Sequence, residues 1–262
     1  MLRFFKFTGL AVAMIWTALL QPVAAEDEAP TVLITGSNRG IGFEFVKQYA
    51  EKGWNVIATA RNPEGADDLQ AFAAENDNVT IERLDLLDHG GIDALAEEYK
   101  DQPIDILLNN AGLMRGPDKE QLIGSIDYDE FIRFYRINAM GPLKVTEAFT
   151  PHVKAGDQKI IAALTTGKGK YGIPAPGFSL YKTSKAALDS IQIEIAIRMK
   201  GQGIKVATLL PGRVLTHGEP GDPESQGAIP IEKSIAGMID VLESFEMENT
   251  GRTVNWDGKI LE

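Results

Sequence analysis

From Pro30 onward the chain alternates short, continuously apolar runs rich in β-branched residues with longer stretches whose apolar positions recur every three or four residues. The short runs predict seven strands, at Thr31–Thr35, Asn55–Thr59, Val79–Leu84, Ile104–Leu108, Lys159–Leu164, Lys205–Leu210 and Thr253–Asn255. The longer ones predict helices near residues 41–52, 65–75, 90–99, 128–150, 180–200 and 231–244. Short apolar, β-branched runs alternating with helical patterns are the signature of a parallel sheet covered on both faces. The expectation is one α/β domain over residues 26–262 built on a doubly wound, seven-stranded parallel sheet. The longest stretch without a pattern, Pro211 to Pro230, follows the sixth strand and reads either as a lid over a ligand or as plain disorder.

Such a sheet binds ligands at the carboxyl ends of its strands, and the unusual residues fall there. Thr35-Gly36-Ser37-Asn38-Arg39-Gly40-Ile41-Gly42 follows the first strand, Asn109-Asn110-Ala111-Gly112 the fourth, Thr165-Thr166-Gly167 the fifth and Pro211-Gly212 the sixth. A glycine-rich turn opening into a helix aims backbone N–H groups and a positive dipole end at one place, which suits a pyrophosphate. Missing Cβ atoms let the phosphates approach. The competing reading is a plain tight turn.

Composition narrows the partners. The chain has 262 residues, a formal charge of −11 and no cysteine. An acidic balance opposes nucleic acid, which needs clustered Lys and Arg. Absent cysteine removes disulfides, thiolate metal sites and thiol nucleophiles, and His89, His152 and His217 lack metal-ligand spacing. Arg3 and Lys6 precede an apolar run from Phe7 to Leu20, then Val23 and Ala25 and an acidic Glu26-Asp27-Glu28. That layout reads as a secretory signal over residues 1–25, or as an uncleaved membrane anchor, and either way the remainder is exported, to a periplasmic, secreted or lumenal location.

Tyr181 and Lys185 stand four apart at the start of the helix near 180–200 and so share a face. An ammonium beside a phenol favours the phenolate and brings its pKa toward useful acid–base behaviour. At this point the chain resembles the short-chain dehydrogenase/reductase family, in its standard-length group and carbonyl-reductase or C-factor-like branch. The resemblance runs from residue 31 to about 258 through Thr35–Gly42, Asp85, Asn109–Gly112, Asn138, Tyr181–Lys185 and Pro211–Thr216.

The resemblance implies a Rossmann-type fold and hydride transfer between a nicotinamide and a small carbonyl or alcohol substrate. Tyr181 would be the acid/base, and Lys185 would hold the nicotinamide ribose and lower the tyrosine pKa. Asn138 would support a water relay, its other reading being a polar residue that kinks a helix. Thr166 stands where the family places a substrate-binding serine; its methyl restricts χ1 but keeps the hydroxyl. Ser179 is the rival hydroxyl, read here as a helix N-cap. The cofactor would lie on Gly36, Asn38, Arg39, Gly40, Ile41 and Gly42, with Asp85 at the adenine or else capping a helix. Asn110, Ala111, Gly112, Pro211, Gly212, Val214 and Thr216 would complete its site.

The second strand ends in Ala60-Arg61, with no carboxylate to accept from a ribose 2′-hydroxyl. Arg61 and Arg39 could instead grip a 2′-phosphate, so the cofactor expected is NADP(H). Lys168, Lys170, Arg213 and His217 read as an entrance for a polar carbonyl compound or as a solvated rim. Ile191 and Ile195, on the helix family members pack between subunits in homodimers or homotetramers, read equally as interface or core. The alternative to an enzyme is a nucleotide- or ligand-binding protein on the same fold.

Overall fold

The computed structural model describes residues 1, 29–114, 121–168, 176–215 and 227–261. The N-terminal segment read as a signal or anchor lies outside the described residues, apart from Met1. Among those described, no helix is long and apolar enough to cross a membrane.

Eight strands form one sheet: β1 (Thr31–Ile34), β2 (Asn55–Ala60), β3 (Val79–Arg83), β4 (Ile106–Asn109), β5 (Ile160–Leu164), β6 (Lys205–Leu210), β7 (Thr253–Asn255) and β8 (Ile260–Leu261). Their order is β3-β2-β1-β4-β5-β6-β7-β8. The first seven pair in parallel, at the seven places the apolar runs predict, and β8 adds an antiparallel edge through Thr253↔Leu261 and Val254↔Ile260. The sequence reading missed β8, because a two-residue strand has no periodicity to detect.

The helices are α1 (Gly40–Glu51), α2 (Asp67–Ala74), α3 (His89–Glu98), α4 (Tyr128–Tyr135), α5 (Gly141–Ala155), α6 (Ser179–Met199) and α7 (Ile231–Glu243). Strand pleating divides the core cleanly. Val32, Ile34, Ile106, Leu108, Ile160 and Ala162 face one layer with Phe45, Val46 and Tyr49 of α1, Leu69 of α2 and Ile235, Met238 and Ile239 of α7. Their neighbours Leu33, Leu107 and Ile161 face the other, with Ile92 and Leu95 of α3, Val145 and Phe149 of α5 and Ile195 of α6. Both faces of β1, β4 and β5 are therefore buried, which is why these strands read as uninterrupted apolar runs.

One predicted helix is in fact two. Between α4 and α5, residues Arg136–Met140 make a π turn in which the Gly141 N–H donates to the carbonyl of Arg136, five residues back. The apolar period passes through this widening without a break, so the sequence shows a single helix over 128–150. The extra residue per turn re-aims Asn138, which is fully buried, and π turns of this kind concentrate at functional sites.

Candidate active site

The strand order reverses between β2-β1 and β4-β5, so connections leave β1 and β4 toward opposite faces and open a crevice at their carboxyl ends. The glycine turn fills one side of it. Gly36 and Gly40 have φ of 70° and 56°, a region in which L side chains are strained. A Cβ on Gly36 would stand 2.9 Å from Ala111 Cα, and one on Gly42 would stand 2.2 Å from the Gly36 carbonyl oxygen. The turn is thus packed against the Asn109–Gly112 segment with no room for side chains between them.

Hydrogen bonds lock that contact. Thr35 Oγ1 accepts from the N–H groups of Asn110 and Ala111, both at 3.0 Å. Asn110 Nδ2 donates to the carbonyls of Thr35 and Gly36 at 2.8 and 3.0 Å. Ser37 ties the turn to β2: its N–H donates to the Thr59 carbonyl at 2.7 Å, and its hydroxyl accepts from the Thr59 N–H at 3.2 Å. This tie brings the turn that carries exposed Asn38 and Arg39 beside the end of β2, where Arg61 is also exposed. Among the described residues neither arginine forms an ion pair.

Asp85 follows β3, and its Oδ1 accepts from the Leu87 N–H at 3.0 Å. The cap of α3 is Asp88, which accepts from Gly91, so the capping reading of Asp85 is corrected. Gly212 has φ 74°, and a Cβ there would meet Ile229 and Trp256. Ser234 donates to the Pro211 carbonyl at 2.7 Å. Val214 pairs with Ile229, which joins the two described ends of the loop read as a lid. Thr216, Lys170 and His217 lie outside the described residues.

The catalytic candidates converge opposite the glycine turn. Tyr181 is buried on α6 within a small cluster with Phe134 and Leu180. Burial pushes its phenol pKa up, and a hydrogen bond with Thr166 opposes that rise. Thr166 also accepts from the Lys168 N–H at 3.2 Å. The sequence reading gave the lowering of the tyrosine pKa to the ammonium of Lys185. In the structure Lys185 Nζ donates to the Leu164 carbonyl at 2.9 Å, and the hydroxyl of Thr166 also acts on the phenol.

Asn138 is held from three sides. Its Oδ1 accepts from the Leu113 N–H at 2.6 Å, while Nδ2 donates to the Leu113 carbonyl at 2.8 Å and to Ser184 Oγ at 2.9 Å. Ser184 in turn donates to the Tyr181 carbonyl at 2.8 Å. A Cβ on Gly112 would stand 3.2 Å from Asn138 Oδ1 and 3.4 Å from Lys185 Nζ, so glycine lets the segment after β4 pack closely on these two buried polar atoms.

Ser179 is not the N-cap. That position belongs to Phe178, and Ser179 is the first helical residue, its carbonyl accepting from Thr183 Oγ1 at 2.7 Å. The sequence reading also missed Ser184 and Gln121. Gln121 is buried and its Oε1 accepts from the Tyr181 N–H at 3.5 Å, standing in for the missing side-chain cap of α6. Ser184 is visible in the sequence, as the residue three after Tyr181, whereas Gln121 reaches the site only through the fold.

Two surface hollows, about 280 and 600 Å³, lie at the opposite edge of the sheet, lined in common by Thr31, Asn55 and Gln102. They contain none of these groups.

Residues 30–225 match the short chain dehydrogenase family. An uncharacterized oxidoreductase of Schizosaccharomyces pombe is 33% identical over 248 residues, covering 87% of this chain and 96% of its own. The NADPH-bound carbonyl reductase from chicken fatty liver superimposes with a TM-score of 0.80 at 29% identity, over 89% of this chain and 98% of that one. A short-chain dehydrogenase/reductase from Burkholderia multivorans with bound NADP gives 0.74 at 30% identity, over 89% and 99%. The fold agrees with these matches, and the chain belongs to the short-chain dehydrogenase family.

Proposed function

We propose that the protein is an NADP(H)-dependent carbonyl reductase that interconverts a small carbonyl compound and its alcohol, with Tyr181 as the acid/base. The observation that carries this reading is the convergence of Tyr181 in the first turn of α6, Lys185 one turn on with its Nζ on the Leu164 carbonyl, and Thr166 at the exit of β5, on the side of the crevice facing the glycine turn. The residues present fit a dinucleotide. Gly36 and Gly42 let the turn close tightly on Asn110 and Ala111, the N-terminus of α1 opens onto the turn, and exposed Arg39 and Arg61 suit a 2′-phosphate. NADP bound in the B. multivorans relative and NADPH in the chicken enzyme support the same choice.

When bound, the nicotinamide supplies or receives the hydride at the substrate carbon. The chain's own residues handle the proton. In the reducing direction the neutral phenol of Tyr181, kept protonated by burial, donates its proton to the carbonyl oxygen, and the hydroxyl of Thr166 stabilises the phenolate left behind. Asn138 and Ser184 fix the first turn of α6, so the phenol has one position.

The test follows NADPH absorbance with residues 26–262 and a panel of aldehydes, ketones and quinones, then repeats it with Tyr181→Phe. Turnover abolished by the substitution supports the enzyme. Tight NADPH binding without turnover on any substrate supports the binding protein instead. Arg61→Ala should weaken NADPH far more than NADH, and equal loss refutes the 2′-phosphate role.

Assembly as a homodimer or homotetramer rests on the outer faces of α4 and α6, where Tyr128, Ile132, Ile193 and Ile197 are exposed. Ile195 is buried and Ile191 packs against the core, so the outward residues are two positions further along. Light scattering of the parent and of Ile197→Lys measures it. Export by residues 1–25 is tested by the mass of the mature chain after expression with its own N-terminus.

A further inference from the structure

The exit of β5 meets α6 through three consecutive rungs. The carbonyl of Leu164 accepts from Lys185 Nζ at 2.9 Å. Thr165 Oγ1 donates to Asp189 Oδ1 at 2.5 Å. Thr166 takes the phenol of Tyr181. On the helix the partners 181, 185 and 189 stand one turn apart on a single face, so three adjacent residues at the end of β5 together hold three turns of α6, in the order 185, 189, 181. The outer two rungs involve groups of the proposed reaction. The middle one does not.

Its placement gives it another use. Ladder pairing of β5 ends at Leu164↔Leu209, and the Thr165 N–H continues it, donating to the Leu209 carbonyl at 2.8 Å. A small rotation at Thr165 would swing the hydroxyl of Thr166 off the phenol, and a side-chain bond at Thr165 stops it. A hydrogen bond to an ionised carboxylate is among the strongest such stops. Thr165 is also buried, so water does not compete well for it.

We infer that Thr165 and Asp189 form a positioning pair that holds the β5 exit on α6 and thereby keeps Thr166 in register with Tyr181. The inference rests on the reading of Tyr181 as the acid/base. The experiment uses Thr165→Val, which keeps shape and charge but removes the hydroxyl, Thr165→Ser as the conservative rescue, and Asp189→Ala alone and combined with Thr165→Val. Steady-state kinetics with NADPH and the best carbonyl substrate give kcat and KM. The alkaline difference spectrum between each protein and its Tyr181→Phe counterpart gives the titration of that one phenol without needing turnover.

Thr165→Val is expected to lower kcat on the order of tenfold to a hundredfold, the scale of an ångström misplacement, with KM for NADPH within about twofold. The Tyr181 titration should move upward, because the opposing hydroxyl is lost. Thr165→Ser should restore both, and the double variant should be no slower than Asp189→Ala, as expected for residues acting as one unit. A kcat within about twofold of the parent with an unmoved titration overturns the pairing. So does an activity loss that follows thermal stability and that serine fails to rescue. If the parent turns over nothing, the proposed function falls, and the titration still decides whether the pair positions Thr166.

Discussion

Replacing Gly42 by alanine separates space from backbone freedom in the glycine turn. The added Cβ would lie 2.2 Å from the Gly36 carbonyl oxygen and 2.5 Å from Asn110 Nδ2. Both opposing groups are fixed, Gly36 as backbone and Asn110 by its donations to the Thr35 and Gly36 carbonyls. Relief needs a movement on the order of 1 Å, for which overpacking costs about 1–3 kcal/mol, and the rigidity of the neighbours places this case at the upper end. If NADPH requires the turn in its parent shape, that strain must be restored on binding, and about 1.4 kcal/mol is tenfold in Kd.

The control is Gly53→Ala. Gly53 ends α1 with φ 79°, its N–H donating to the Ala50 carbonyl, and nothing lies within 4 Å of its would-be Cβ. Alanine there costs about 1 kcal/mol of backbone strain and nothing more. Urea unfolding and fluorescence titration with NADPH are run on parent and both variants. Gly42→Ala should lower stability and raise Kd at least about tenfold, whereas Gly53→Ala should lower stability alone. Parent-like affinity and midpoint in Gly42→Ala would refute the packing argument, as would an equal loss of NADPH affinity in Gly53→Ala.

Asn138→Ala removes three hydrogen bonds at once and strands Ser184 and Leu113 partners inside the protein, so it should cost about 2–4 kcal/mol in urea unfolding; a loss below about 0.5 kcal/mol contradicts the bracing described for it. Phe149→Ala, at a fully buried ring between α5 and the sheet, should cost about 3–5 kcal/mol with NADPH affinity unchanged. Stability should fall in alkali: burial raises the phenol pKa of Tyr49 and of Tyr181, so above the ordinary value of about 10 the unfolded chain releases protons the folded one retains, at about 1.4 kcal/mol per pH unit for each group until its folded pKa is reached. Tyr49→Phe should flatten that slope by one group and, since the Tyr49 hydroxyl has no hydrogen-bond partner among the described residues, leave neutral-pH stability equal or slightly higher; a steeper slope or a marked loss refutes it.

The central strands β1, β4 and β5 were legible because each is buried on both faces and so is largely apolar at successive positions, a signal that needs no knowledge of neighbours. The glycine turn was legible for a related reason: Gly36 and Gly42 answer to local backbone and to one adjacent segment. What escaped depends on contacts distant in sequence. The π turn at Arg136–Met140 inserts its extra residue without disturbing apolar spacing, and its cause, the three-way grip on Asn138, includes Leu113 and Ser184 from two other elements. The N-cap of α6 was misplaced onto Ser179 because a serine before an apolar period fits the local rule, while the orphan N–H of Tyr181 is met from Gln121, 60 residues away.

These departures share a direction. Local preference would let α6 begin at a serine cap and let α4 run straight into α5. In each case a bond from another element overrides it: Gln121 onto the Tyr181 N–H, and Asn138 onto Leu113 and Ser184. All of these converge on the first two turns of one helix, where a proton donor must be held within a fraction of an ångström. Sequence-local reasoning fails where the fold exerts most control over geometry, and that control is concentrated around Tyr181.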